Sequence, residues 1–132
     1  MNGNAVCRDF DVESGLALNS ESELKLENGF AAFTKDFFDN GAYVVENNQT
    51  HEVSLRDPEG KNYLNVYFPE APLFGLWSAE KKNAPYAAIE PWFGRCDKED
   101  FNGSLEEREW GHALAQGACF QAAYTIEIAG ED

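Results

Sequence analysis

The residue best suited to chemistry is Glu90, a carboxylate at the end of the apolar segment 86–89. Pro91 follows it. Because a residue before proline is biased toward extended backbone, and because proline donates no ladder hydrogen bond, the strand is predicted to end there or to lie at a sheet edge. Such a position aims the Glu90 side chain at an opening. A partly buried carboxylate beside an indole, here Trp92, is suited to accept a proton near neutral pH.

Aromatic and charged side chains lie on both sides of this carboxylate in the sequence. Trp77, Trp92 and Phe93 could cover the apolar face of a sugar ring, or they could pack in the core. Arg95 could orient a substrate, or it could be a structural ion-pair partner of Glu90. The segment therefore contains the residue types of a carbohydrate site, while a structural role stays open for each of them.

A second carboxylate near Glu90 would allow a different reaction. Glycosidases use two carboxylates that lie about 5 to 10 Å apart across a cleft. Asp97 or Glu99 could be the second one. Because the sequence does not give the separation, glycoside hydrolysis stays open as a hypothesis.

Charge and composition exclude several classes of partner. The 132 residues carry 24 acidic and 10 basic side chains, and the net charge of −14 would repel a nucleic-acid backbone and an anionic membrane surface alike. No apolar run approaches the roughly 20 residues of a membrane span. The N-terminus does not resemble a secretory signal, and three widely separated cysteines are typical of reduced thiols. We therefore expect a cytoplasmic protein. Its charge leaves neutral ligands, cations and basic proteins open as partners.

Short antiparallel strands within a single domain, residues 1–132, are predicted to position Glu90. Alternating apolar patches separated by tight turns favour an all-β sandwich. The tight-turn signal Asp-Pro-Glu-Gly at 57–60 predicts an antiparallel hairpin. Four phenylalanines between Phe30 and Phe38 fall at helical spacing, which predicts a short helix near residues 30–40. The predicted strands cover residues 23–27, 42–46, 51–56, 62–68, 74–78, 86–89 and 118–128.

Four segments resemble the C-terminal part of bacterial aldose 1-epimerases, the galactose mutarotase-like family. They read Phe-Gly-Leu-Trp-Ser at 74–78, Ile-Glu-Pro-Trp-Phe-Gly-Arg-Cys-Asp at 89–97, Leu-Glu-Glu at 105–107, and Phe-Gln-Ala-Ala-Tyr-Thr-Ile at 120–126. The resemblance extends from about residue 38 to the C-terminus. The segment 89–97 is the specific one, because it combines residue identities and an order that strand formation alone does not require.

The resemblance implies part of a β-supersandwich and an isomerase that interconverts the α and β anomers of an aldose. Glu90 matches the family's catalytic base, which takes the proton of the C1 hydroxyl while a histidine acid protonates the ring oxygen. No metal or organic cofactor is needed. The residues expected to bind the sugar are Trp77, Trp92, Arg95 and Asp97.

Two features depart from a complete enzyme of this family. The family's acid lies in a Gly-x-His-Pro segment, which is absent here, and neither His51 nor His112 has that context. Half of a supersandwich also leaves strand edges without neighbours, so a homo-oligomer or an N-terminal partner chain is expected to cover them. The alternative is a non-catalytic carbohydrate-binding β-sandwich that keeps the aromatic surface and lacks an acid.

Overall fold

The computed structural model describes residues 3–129, and its regular elements are antiparallel strands. A single 3₁₀ turn at Leu105–Glu107 is the one helical element within these residues. The predicted all-β class is therefore confirmed. Among the described residues no helix is long and apolar enough to cross a membrane. The strands are β1 Ala5–Phe10, β2 Ala17–Leu24, β3 Tyr43–Val45, β4 Glu52–Arg56, β5 Asn62–Tyr67, β6 Leu73–Trp77, β7 Ala88–Trp92 and β8 Thr125–Ile128.

The strands form two sheets. The larger sheet has five strands in the order β2-β1-β3-β6-β7, and the smaller has three in the order β4-β5-β8. The predicted turn at 57–60 joins β4 to β5, where the Asp57 amide donates to the Lys61 carbonyl at 3.0 Å. The strand β7 lies at an edge of the larger sheet. Pro91 is tolerated inside β7 because an edge strand has one side free of ladder hydrogen bonds.

The core lies between the two sheets and is built by period-two alternation. Val45, Phe74 and Leu76 of the larger sheet belong to one buried cluster with Val66 and Phe68 of the smaller sheet region. The Phe68 and Phe74 ring centroids lie 5.5 Å apart. Burying a large apolar side chain stabilises the fold by about 1.5–3 kcal/mol, so these side chains fix which face of each strand points inward.

The register of three neighbouring strands separates an inner face from an outer face. Val45, Phe74 and Pro91 occupy one row across β3, β6 and β7, and this row faces the core. One position along, Val44, Gly75 and Glu90 form the next row. Because side chains alternate along a strand, Glu90 points to the outer face of the larger sheet.

The helix predicted near residues 30–40 is wrong, because this segment forms successive turns. The amides of Phe37, Asp39 and Gly41 each donate to a carbonyl three residues earlier. Phe, Thr, Asp and Asn are moderate helix formers, and a segment this short gains little from helix propagation. The side chains of Phe33, Phe37 and Phe38 instead pack with Tyr43 in one aromatic cluster.

Candidate functional site on the outer face of β6 and β7

Glu90 lies between two tryptophans on the outer face of the β6–β7 hairpin. Across this pair of strands the register couples Leu73 to Trp92, Gly75 to Glu90, and Trp77 to Ala88. Alternate residues along a strand share a face, so Trp92, Glu90 and Trp77 project to the same side. The hairpin thus presents one carboxylate flanked by two indoles at the free edge of the sheet.

Trp92 is held against both Glu90 and the neighbouring strand. Its indole Nε1 donates a hydrogen bond to Oε2 of Glu90 at 3.2 Å. The six-membered ring lies over Gly75, where an added Cβ would come within 2.9 Å of Cζ2 of Trp92. Glu90 and Trp92 are both partly buried. The carboxylate therefore has a fixed orientation and remains accessible.

Trp77 is the more exposed of the two tryptophans. It keeps 37% of its surface accessible and packs on Tyr86, with ring centroids 6.0 Å apart. A large apolar ring face open to solvent beside a carboxylate can cover the apolar face of a sugar. Its role in sugar binding stays a prediction.

Arg95 belongs to a buried ion network. Its Nε donates to Glu46 and its NH2 group donates to Glu109, and 1% of its side chain is exposed. Glu46 also accepts from Nε of Arg8 at 3.4 Å. Lys98 donates to Glu109 at 2.9 Å. The Arg95 guanidinium is thereby occupied by protein carboxylates, and its predicted contact with a sugar stays untested.

The pKa values follow from this arrangement. Burial acts to lower the pKa of the Arg95 guanidinium, but the hydrogen bonds and charges of Glu46 and Glu109 outweigh burial and raise it. The hydrogen bond from Lys98, followed by that from Arg95, lowers the pKa of Glu109 against the opposing effect of its partial burial. Arg95 and Glu109 therefore both stay ionised near neutral pH.

Asp97 also has a protein partner. It accepts a hydrogen bond from Nε of Arg108 at 2.7 Å. Arg108 in turn donates to the carbonyl of Arg95 at 3.3 Å. Both predicted sugar-binding residues after Trp92 therefore contribute to the conformation of the segment that follows β7.

Neither histidine lies on the Glu90 hairpin. His51 contacts the carbonyl of Phe68, in the region of the smaller sheet, through Nδ1 at 3.3 Å. His112 contacts the carbonyl of Phe93 through Nε2 and packs on Phe120, with ring centroids 5.0 Å apart. Both rings contact a backbone carbonyl, and each packs against a phenylalanine ring.

Two open pockets lie near the hairpin. One of about 510 Å³ adjoins Trp92 and is lined by Phe10, Gly15 and residues 91–96. The other, of about 300 Å³, is lined in part by Tyr86, Tyr63 and Asp39. Both volumes fall in the range of small-molecule sites. Within residues 3–129 no group of three His, Cys, Asp or Glu side chains is arranged to hold a metal ion.

Glu46 is the residue that sequence reasoning missed. It directly follows β3 and is 4% exposed, although it lies on the outer side of the sheet. The available signal was its position after the apolar run Tyr43-Val44-Val45, which parallels the position of Glu90 after its own apolar segment. Its partner Arg95 lies 49 positions away and could not be inferred from spacing.

The fold is a galactose mutarotase-like β-sandwich, and the predicted resemblance is confirmed by similarity to solved structures. The chain is similar to a galactose mutarotase related enzyme from Lactobacillus acidophilus, with 28% identity and a TM-score of 0.82 over 96% of this chain and 42% of that one. It is also similar to a galactose mutarotase-like protein from Lactobacillus casei, with 19% identity and a TM-score of 0.74 over 98% of this chain and 47% of that one. The chain thus spans less than half the length of either structure. No protein-family profile and no curated protein matches the sequence.

Proposed function

We propose that this chain is the C-terminal portion of an aldose 1-epimerase-like isomerase, with Glu90 as its general base. The observation that carries the proposal is the Glu90 carboxylate, oriented by Trp92 and flanked by Trp77 on an open sheet edge. Ring opening begins when a base takes the proton of the C1 hydroxyl, and this step needs a carboxylate within hydrogen-bond reach of the anomeric centre. The similarity to a galactose mutarotase related enzyme supports the same conclusion.

The proposed substrate is a neutral aldose. Its apolar ring face would lie on Trp77 and its hydroxyl groups would face Glu90, while Trp92 would line the site from the other side. Arg95 and Asp97 would support the site through their ion pairs with Glu46 and Arg108. A reduced, cytoplasmic environment is proposed as well, and Cys7, Cys96 and Cys119 are all free thiols.

A non-catalytic carbohydrate-binding role is the second candidate, favoured by the positions of the two histidines. Ring opening also needs an acid at the ring oxygen, but His51 is engaged by the carbonyl of Phe68 and His112 by the carbonyl of Phe93, the residue that follows β7. A surface with the carboxylate and the indoles but no acid would bind an aldose and leave its anomers unchanged.

The exposed face of β8 is the proposed site of a further polypeptide. Ile126 and Ile128 pair with Val66 and Leu64, whose side chains pack in the core, yet they keep 54% and 77% of their surface exposed. An open strand edge with apolar side chains is a typical pairing surface. We propose that it is covered by polypeptide equivalent to the unmatched part of the related structures, either as an N-terminal partner or as a second copy.

The rate of anomer exchange separates the two functions. α-Glucose and α-galactose are followed by polarimetry with and without the chain, and galactose binding is followed in parallel through the indole N–H signals in NMR spectra. Acceleration over buffer supports the isomerase. Binding of galactose with exchange at the buffer rate supports the carbohydrate-binding module, and the absence of both results contradicts a sugar site on this hairpin.

A further inference from the structure

The contact between Gly75 and Trp92 is unusually close for two neighbouring strands. Gly75 is the register partner of Glu90, and Trp92 lies diagonally from Gly75 on the same face. An added Cβ on Gly75 would lie 2.9 Å from Cζ2, 3.2 Å from Cε2 and 3.4 Å from Cη2 of the Trp92 indole. The first of these distances is shorter than two non-bonded carbon atoms tolerate, so a methyl group on Gly75 would displace the Trp92 indole.

The ring that Gly75 accommodates is also the ring that orients Glu90. From its place over β6, Nε1 of Trp92 reaches Oε2 of Glu90 at 3.2 Å. That distance is already at the long end of the range for an N–H to oxygen hydrogen bond. A displacement of the indole away from β6 would therefore break the bond, and the carboxylate would lose its side-chain donor.

We propose that Gly75 is a positioning residue that acts on Glu90 through Trp92. The missing side chain at Gly75 leaves the indole room to lie across β6, and the indole holds the carboxylate toward the open face. This inference rests on the proposed role of Glu90 as the base. A misplacement of a reacting group by about 1 Å can cost on the order of a hundredfold in rate. A shift of Trp92 that moves the Glu90 carboxylate is therefore expected to lower the rate of catalysis.

The backbone conformation of Gly75 can be adopted by alanine without strain. Gly75 lies inside β6, in extended conformation, and has no positive φ. Alanine at this position is therefore strained only through its contact with Trp92, whereas alanine at Gly60, with φ of 86°, would strain the backbone itself. Any change at Glu90 in Gly75→Ala can thus be traced to the indole.

The experiment compares Gly75→Ala, Trp92→Phe and the double variant with the wild-type chain. In ¹H–¹⁵N spectra the Trp92 indole signal is identified by its loss in Trp92→Phe. We expect that signal to shift in Gly75→Ala and also in Glu90→Gln, while the Trp77 and Trp110 signals stay in place. In anomer exchange we expect each single variant to lose between about tenfold and a hundredfold in rate, and the double variant to lose no more than Trp92→Phe alone.

An unchanged Trp92 indole signal in Gly75→Ala would overturn the inference, and so would fully additive rate losses in the double variant. Failure of the proposed function has a different signature. If Glu90→Gln leaves the exchange rate unaltered while the Trp92 signal still responds to Gly75→Ala, the contact is real and Glu90 is not the base.

Discussion

Arg95 donates from Nε to Glu46 across the outer face of the larger sheet, and both side chains are almost fully buried. The pair joins the residue that follows β3 to the segment that follows β7. Arg8 of β1 contacts the same glutamate. The ion network therefore ties the edge strand β7 to the middle of the sheet, and it fixes the chain only a few residues from Glu90.

Loss of the Glu46 charge is expected to destabilise the fold. The Arg95 side chain is 1% exposed, so Glu46→Gln would leave a buried guanidinium with an incomplete set of partners. We expect the free energy of unfolding in urea to fall by about 3 kcal/mol or more. The matched control is Glu21→Gln, because its side chain is 45% exposed and pairs with Arg8 instead of Arg95, so its loss should cost about 0–1 kcal/mol. Equal losses in both variants would contradict a special role for the buried pair.

Burial of Cys7 predicts a decline of stability at alkaline pH. Burial raises the pKa of the Cys7 thiol from 9.0 to about 11. The folded state keeps its proton when the unfolded state has lost it, so this contribution is complete below pH 9 and is lost as the pH rises toward 11. We expect Cys7→Ala to flatten the decline of the unfolding free energy between these pH values.

Cys119→Ala is the control for this pH effect, because Cys119 is exposed. Its decline between pH 9 and 11 should match that of the wild type. The same difference in burial should appear at pH 8 as rapid labelling of Cys119 and slow labelling of Cys7 by a thiol reagent, measured by mass spectrometry. Equally fast labelling of both thiols would contradict the burial of Cys7.

Trp77 is expected to contribute to sugar affinity more than to stability. Because it is 37% exposed and packs on Tyr86, itself 50% exposed, Trp77→Ala should lower the urea midpoint of unfolding less than Phe68→Ala, which removes a fully buried ring. Galactose affinity, measured by NMR titration, should weaken between about twofold and tenfold, as expected for loss of an aromatic contact. Tyr124→Ala is the control, because Tyr124 is also exposed but directly precedes β8 of the smaller sheet. An equal loss of affinity in that variant would argue against Trp77 as part of the site.

The exposed isoleucines of β8 are expected to contribute little to the free energy of unfolding of the isolated chain. Ile128 is 77% exposed, so Ile128→Ser should change the unfolding free energy by less than about 0.5 kcal/mol. Val66 lies in the adjacent strand and is 4% exposed, and Val66→Ala should cost on the order of 2 kcal/mol. A loss of 2 kcal/mol or more in Ile128→Ser would show that this face already packs within the chain. Light scattering of the wild type and of Ile126→Lys then tests whether a second copy covers it.

The sequence predicted β3 to β6 well, because their apolar residues alternate and tight turns separate them. The strand predicted at 86–89 is displaced, because β7 spans Ala88–Trp92 and continues through Pro91 at the sheet edge. Only residues 23 and 24 of β2 were predicted, because the segment Asn-Ser-Glu-Ser-Glu at 19–23 carries no apolar alternation. Strand β1 was missed entirely. Those strands are recruited by pairing, with Cys7 of β1 opposite Val45 of β3. Residues 118–124 were predicted as strand but lie outside β8, because only Thr125–Ile128 pairs with β5.

Within the site, the shared face of Glu90 and Trp92 follows from their spacing of two in one strand. The contact of Trp92 with Gly75 could not be predicted, because it depends on the register between β6 and β7. The partners of Arg95 depend on how the segment after β7 folds over the sheet, so spacing left open whether Glu90 was one of them. Tertiary packing decided these points, and local sequence does not encode it.

The central claim is that Glu90 takes the proton that opens the sugar ring, and anomer exchange of α-galactose by the wild type and by Glu90→Gln tests it most directly. The amide keeps the shape of the carboxylate and can still contact the sugar, but it cannot act as a base. Because general base catalysis contributes on the order of a hundredfold to ten-thousandfold, we predict that the wild type accelerates exchange and that Glu90→Gln returns it to nearly the buffer rate while galactose still shifts the Trp77 indole signal. Exchange by Glu90→Gln at the wild-type rate would contradict the account.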